Sequence, residues 1–335
     1  MQYNQERKKI NMKIYGVKAI IGLVFSVFIF CSCNNSKTNV PVIGFADALE
    51  DNTLAQAKLG FLDALKKEGY SEENNTLKVI YRNAQGDIPK LTLSIKYFIS
   101  EKVNLIATNP SLSTIAALQN TKDIPVFMMV SPTPQLMNVA DKQGNPPTNL
   151  FGVAEDLGYI DTSFSLIPKL VKPKENKVRV GMVYNQSEPQ SAEALKRIEE
   201  LATQLNVELV SLPVNNSADV QLVTQALLAK HIDAFFANPD NTVFSSFETI
   251  LKACNDANVP VFTSEAGLVS RGALAAYGAD IYQWGYQAGE QAAQFLKNKS
   301  TKDLHWEMVK LRKRVYNAVA AKKFGIAFTN NFQAI

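Results

Sequence analysis

The chain has 335 residues, 46% of them hydrophobic, with 35 Lys+Arg against 31 Asp+Glu, 3 cysteines and 2 histidines. Three cysteines cannot build a disulfide framework, and His231 and His305 lie far apart without Cys or acidic partners at ligand spacing, so no zinc or other metal site is expected. The formal net charge of +4 is small, and its placement removes any nucleic-acid footprint.

Residues 1–18 carry Arg7, Lys8, Lys9, Lys13 and Lys18 against one acid, Glu6, and an unbroken apolar run fills 19–30. A basic region followed by an apolar run of this length is the pattern of a secretory signal; the run is short for a membrane-spanning helix. Met1 and Met12 both fit as its start. The signal ends in Phe30-Cys31-Ser32-Cys33-Asn34-Asn35, which resembles a bacterial lipobox. Residues 1–32 therefore read as a lipoprotein signal peptide, Cys33 as the lipidated residue and 33–39 as a polar tether. The expected location is the cell envelope, exported and lipid-anchored to a membrane, at the periplasmic face or cell surface. The five bases and one acid of residues 1–32 account for the whole +4, so the remainder is neutral. Cys254 reads as a small core residue in a helix.

From residue 40 onward, β-branched runs at 40–45, 77–82, 104–108 and 125–130 alternate with helically spaced apolar residues at 54–67, 88–100 and 111–119. The pattern restarts with strands at 179–184, 208–213, 234–237 and 259–262, and helices at 187–205, 218–229 and 243–258. Such alternation predicts βαβ units and parallel, helix-covered sheets. The expected class is α/β: two doubly wound parallel-sheet lobes joined by a hinge.

Residues recur between the halves. Val42-Ile43-Gly44 answers Arg179-Val180-Gly181, Asn109-Pro110-Ser111 answers Asn238-Pro239-Asp240, and Ile124-Pro125-Val126-Phe127 answers Val259-Pro260-Val261-Phe262, at offsets of 137, 129 and 135 residues. The predicted lobes are 40–153 plus 278–307, and 154–277 plus 308–335, with crossings near 146–156, 277–281 and 306–311. Helices at 281–298 and 316–324 are left over once each lobe has its repeat. Ligands of open α/β sheets sit at the carboxyl ends of the strands, so two facing lobes predict one shared cleft. Asn109 with Ser111 and Asn238 with Asp240 fall there, each before a helix whose exposed amides favour anions.

The order of Asn83-Ala84-Gln85-Gly86-Asp87, Tyr184-Asn185-Gln186-Ser187-Glu188, Asp240-Asn241-Thr242-Val243, Gly272-Ala273-Leu274-Ala275 and Tyr277-Gly278 resembles the ABC transporter substrate-binding proteins. These include the tryptophan- and other aromatic-amino-acid-binding lipoproteins. The resemblance runs from about 40 to 326. It implies a type I periplasmic-binding-protein fold with three crossings and a closing cleft. It also implies a small-molecule ligand, an ABC permease and ATPase as partners, no cofactor, and a monomer. The chain departs from the family at Thr133, where relatives usually carry an aspartate, and at 47–51, which lacks the Gln and His often found there.

An amino-acid-like ligand needs hydroxyl and amide donors for its carboxylate; Ser111, Ser113 and Thr114 at a helix start fit, with the helix dipole. Ser111 fits equally well as a helix cap. The ammonium needs an acid: Asp240 first, then Glu188 beside Asn185, each of which also suits a helix N-terminus. Phe45 and Tyr184 end the two opening strands and could stack on a ring or fill the core; Tyr282 and Trp284 read as helix packing. The further candidates bordering the cleft are Asp47, Asn109, Ser131, Thr133, Asn238, Ser264 and Glu265. An aromatic amino acid is the expected ligand; a nucleobase, sugar or vitamin remains open, as does a ligand-sensing role toward a membrane partner. No G-x-G-x-x-G, P-loop or G-x-S-x-G occurs with a partner set for catalysis, so the chain is not expected to be an enzyme.

Overall fold

The structure, a computed structural model, describes residues 40–335; the signal peptide, Cys33 and the tether lie outside the described residues. In chain order the first elements are β1 (Val42–Asp47), α1 (Ala55–Lys67), β2 (Lys78–Asn83), α2 (Ile88–Ser100), β3 (Leu105–Asn109), α3 (Ser111–Asn120), β4 (Val126–Pro132) and β5 (Leu150–Glu155). Next come α4 (Gly158–Phe164), α5 (Ile167–Leu170), β6 (Arg179–Asn185), α6 (Pro189–Gln204), β7 (Glu208–Val214), α7 (Val220–Leu228), β8 (Ala234–Ala237), α8 (Asn241–Ser245) and α9 (Phe247–Asp256). The last are β9 (Val261–Thr263), α10 (Ala266–Ser270), β10 (Ala275–Ala279), α11 (Ile281–Asn298), β11 (Glu307–Met308), β12 (Arg312–Tyr316), α12 (Ala318–Phe324) and β13 (Gln333–Ala334).

These strands form two sheets, ordered β11-β5-β4-β3-β1-β2 and β13-β12-β10-β9-β8-β6-β7. Strands β1 to β5 and β6 to β10 thus repeat one order, second-first-third-fourth-fifth, and every pairing within each run of five is parallel. Only β12 against β10 is antiparallel among the described strands. In both lobes the order reverses beside the first strand, so β1 and β3, and β6 and β8, flank a topological switch point where ligands bind. All five residues of β3 and all four of β8 are buried, as expected for central parallel strands covered on both faces.

The chain passes between the sheets three times: from β5 into α4, from β10 into α11, and from β11 into β12. Helix α11 returns to the first lobe and lies directly on α1. The contact is backbone to backbone: a Cβ on Gly285 would overlap the Ala57 carbonyl, and one on Gly60 the Tyr282 carbonyl. Trp284 is thereby fixed 3% exposed, with its indole N–H donating to the Val153 carbonyl at 2.8 Å.

Strand β4 carries a register shift between Met128 and Ser131, with Val130 at φ 50°. A bulge of this kind re-aims the following side chains, here Ser131. Gly152 of β5 accommodates it at φ 96°, with no Cβ to strike the Met128 backbone. Two predicted helices differ from the sequence reading, and two spans had no assigned element. The 243–258 helix is broken at Ser246 because Asp240 caps a separate first turn, α8. The 316–324 helix starts at Ala318, since Tyr316 pairs with Ala275 in the sheet. Residues 149–153 are mostly strand, and 158–170 hold two short helices that carry too little periodicity to predict. Among the described residues no helix is long and apolar enough to cross a membrane.

Candidate functional site

A cavity of about 40 Å³ lies between the lobes at the strand ends. From the first lobe come Ser111, Val130, Ser131 and Pro132, and from the first crossing Glu155, Leu157 and Tyr159; the second lobe gives Gln190, Asp240, Asn241, Phe244 and Glu265, and α11 gives Trp284. Three carboxylates and three aromatic rings face one space, and among the described residues no Lys, Arg or His lines it.

The acids are held differently. Asp240, 1% exposed, has both oxygens occupied: Oδ1 accepts from the Thr242 and Val243 amides at 2.8 and 3.0 Å, and Oδ2 from the Asn185 amide at 2.7 Å and Ser191 Oγ at 2.5 Å. It therefore caps α8 and ties it to β6 and α6. Burial raises its pKa against the pull of those four donors. Glu188 accepts from Asn241 Nδ2 at 2.6 Å and Gln190 Nε2 at 2.7 Å; burial, with Asp240 beside it, pushes it up to about 8. Glu155 is paired with Arg312 across the third crossing, yet burial holds it at about 7. Glu265, 2% exposed, is pushed to about 8 by burial, offset in part by the Tyr159 hydroxyl.

Of the predicted residues, Ser111, Ser131, Asp240 and Glu265 reach the cavity wall. The others stand behind it. Asn109 donates to Asp47 at 2.7 Å and to the Leu54 carbonyl at 3.0 Å, and burial raises Asp47 to about 6. Ser113 donates to the Asn109 carbonyl, as helical serines often do, and Thr114 spends its hydroxyl on Thr108 and Ser131. Asn238 donates to Ser191, Asn185 to Thr242, and Ser264 is fully buried without a partner for its hydroxyl among the described residues. Three candidates lie away from this cavity. Phe45 is core, because strand alternation turns it toward Phe61, 5.8 Å away edge-on. Tyr184 packs on the core outside the cavity, and Thr133 accepts from the Leu136 amide in its own turn.

Tyr159, Leu157, Phe244, Gln190 and Glu155 were not anticipated, and Trp284, read as packing, also forms wall. Arg271 was missed as well, although it bridges the lobes. It donates to Asp51 at 2.5 Å and Thr53 at 3.0 Å from the first lobe while holding Glu248 of its own lobe at 2.8 Å. A second bridge runs from Asn241 Nδ2 to Ser111 Oγ at 3.4 Å.

The chain is similar to several known proteins. A tyrosine-binding protein of Clostridioides difficile is 33% identical over 294 residues, covering 87% of this chain and 84% of that one. The ABC domain of Streptococcus pneumoniae in complex with L-Trp superposes with a TM-score of 0.78 at 23% identity, covering 87% and 96% of the two chains. The ligand-free, open form of a Clostridium difficile substrate-binding protein with adhesive properties gives 0.65 at 28% identity, covering 88% and 99%. The family model described as ABC transporter substrate binding protein matches residues 42–334. The protein belongs to the ABC transporter substrate-binding protein family, and is a solute-binding protein rather than an enzyme.

Proposed function

We propose that this chain captures an aromatic amino acid between its lobes and passes it to an ABC permease and ATPase, tethered to the membrane through Cys33 and acting as a monomer. The observation that carries this reading is the composition of the cavity wall. Tyr159, Phe244 and Trp284 supply ring faces, carboxylates supply sites for an ammonium, and the α3 N-terminus with Ser111 supplies donors for a carboxylate. The 33% identical relative named for tyrosine binding and the L-Trp complex of the pneumococcal domain support the same class.

The cavity's 40 Å³ is about the share of one liquid water, far below the roughly 300 Å³ or more of small-molecule sites. An amino acid therefore enters only after the lobes part about the three crossings, and closure follows. Ligand shifts that equilibrium only by its differential affinity for the closed form.

The test is a thermal-shift screen of the purified protein against amino acids, sugars, nucleosides and vitamins, followed by calorimetry of the hits. A ligand at 100 times its dissociation constant adds about 2.7 kcal/mol of stability. A shift with Trp, Tyr or Phe supports the reading; a shift confined to a sugar, nucleoside or vitamin refutes it.

A further inference from the structure

The wall of the cavity divides into two clusters. Ser111, Asn241, Asp240 and Gln190 gather where the helix starts of the two lobes meet, joined by the Asn241–Ser111 and Glu188 hydrogen bonds. Leu157, Tyr159, Trp284, Glu155 and Glu265 gather at the crossings, where Tyr159 also lies against Gly278 and Trp284 is bonded to Val153.

Within the second cluster Glu265 stands apart. Asp240 has four donors and Glu155 has Arg312, but Glu265 forms no ion pair with a described residue; the Tyr159 hydroxyl lies beside it, and its Oε2 has no hydrogen-bond partner among the described residues. The adjacent Ser264 Oγ is equally unpartnered. Native proteins keep few such atoms, and each needs a reason. Glu265 shares the cavity wall with Tyr159, Leu157 and Trp284. A ring received between these aromatic and aliphatic side chains would bring a donor on its edge toward the unpartnered Oε2.

We infer that Glu265 receives a hydrogen-bond donor carried by the ligand's aromatic side chain, a phenolic hydroxyl or an indole N–H, and so selects ligands that have one over phenylalanine. The inference rests on the aromatic-amino-acid reading above. The α-ammonium and α-carboxylate, common to all amino acids, then belong to the first cluster. A site built to bond a ligand hydroxyl rejects the analogue lacking it, because its own buried group is left unpaired. Glu265, pushed up to about 8 by burial, enters the unliganded site largely as the neutral acid, able to accept from the ligand and to donate in turn.

The experiment is calorimetric titration of the purified protein with Tyr, Trp and Phe, in the wild type, Glu265→Met and Glu265→Gln. The wild type should bind Tyr or Trp about 10- to 100-fold more tightly than Phe. Glu265→Met, similar in size but without a strong acceptor, should erase that ratio and leave Phe nearly unchanged; Glu265→Gln, whose amide still accepts, should keep part of it. Equal wild-type affinities for Tyr, Trp and Phe overturn the inference while leaving the aromatic reading intact. So does a parallel loss of all three in Glu265→Met, which would assign the residue to the shared ammonium. If Glu265→Met fails to fold, the wild-type ratio and Glu265→Gln decide. If none of the three binds, the aromatic reading fails and this inference falls with it.

Discussion

Replacing Arg271 by Ala should loosen the closed form, and the structure sets the size of the effect. Its guanidinium spans the lobes, donating to Asp51 at 2.5 Å and to Thr53 at 3.0 Å, with the Arg271 side chain 13% exposed and that of Asp51 2%. The Glu248 contact lies within one lobe and its carboxylate is 66% exposed, so it survives opening and contributes little to closure. What opening breaks is one buried ion-pair bond and one bond from the same guanidinium to a neutral hydroxyl, and both ends regain water. Hydrogen bonds to charged groups contribute about 1.5–3 kcal/mol; with about 2 kcal/mol lost, the closed-to-open ratio falls about 30-fold.

Two assays read this independently. Small-angle scattering of the unliganded protein should show a larger radius of gyration for Arg271→Ala. Calorimetry should show ligand affinity falling by up to about 30-fold, since the liganded closed form loses a bridge that the open form never had. Asp51→Asn keeps the Oδ1 contacts to the Thr53 and Leu54 amides and should show the same direction with less change. The double variant should show non-additivity, as expected for contacting residues. Unchanged scattering together with affinity within about twofold would refute the claim that this bridge sets closure.

Two other outcomes follow from the buried acids. Burial raises Glu188 and Glu265 to about 8, Glu155 to about 7 and Asp47 to about 6. Folding thus favours their protonated forms, and this stability is present below about pH 4.5 and is lost as pH rises through about 6 to 8. Urea unfolding of the unliganded protein should give stability at pH 8 at least about 2 kcal/mol below that at pH 5; a flat profile would contradict this, and Glu265→Gln should reduce the slope. Asp240→Ala should lower the melting temperature by about 5–10 °C, since four accepted bonds worth about 1 kcal/mol each vanish, less the repulsion relieved at Glu188. A melting point within about 1 °C of wild type would show the cap to be dispensable.

The alternating βα pattern was legible because most helices are long enough to show a 3.6-residue period and the strands are β-branched. Strands β10 to β13 were not. AAYGA of β10 has small residues, RKRVY of β12 is charged and mostly exposed, and β11 and β13 have two residues each. The internal repeat pointed to the strand ends, and Ser111, Ser131, Asp240 and Glu265 of the candidates there line the cavity. It could not say which hydroxyls face inward: Ser113 and Thr114 share the helix start with Ser111 but turn toward β3 and Ser131. The crossing cluster was invisible for another reason. Tyr159 and Trp284 meet Glu265 only because the chain leaves β5 and β10 at neighbouring points, and no local pattern encodes that meeting. Arg271 is one arginine at the end of a five-residue helix, indistinguishable in sequence from a solvated one.

Closure in this molecule sets two electrostatic tendencies against each other. Bringing the lobes together gathers Glu155, Asp240 and Glu265 around about 40 Å³ with no base in the wall among the described residues. Burial answers by favouring their protonated forms, raising Glu155, Asp240 and Glu265 alike. The Arg271–Asp51 bridge lies outside that space and favours closure without neutralising the acids inside it. A ligand that brings an ammonium into the cavity favours the ionised carboxylates over these neutral acids, most strongly when the lobes are shut, because in the open form water screens each carboxylate separately. Its positive charge is thus worth more in the closed state than in the open one, and that difference is what a binding protein needs to convert occupancy into shape.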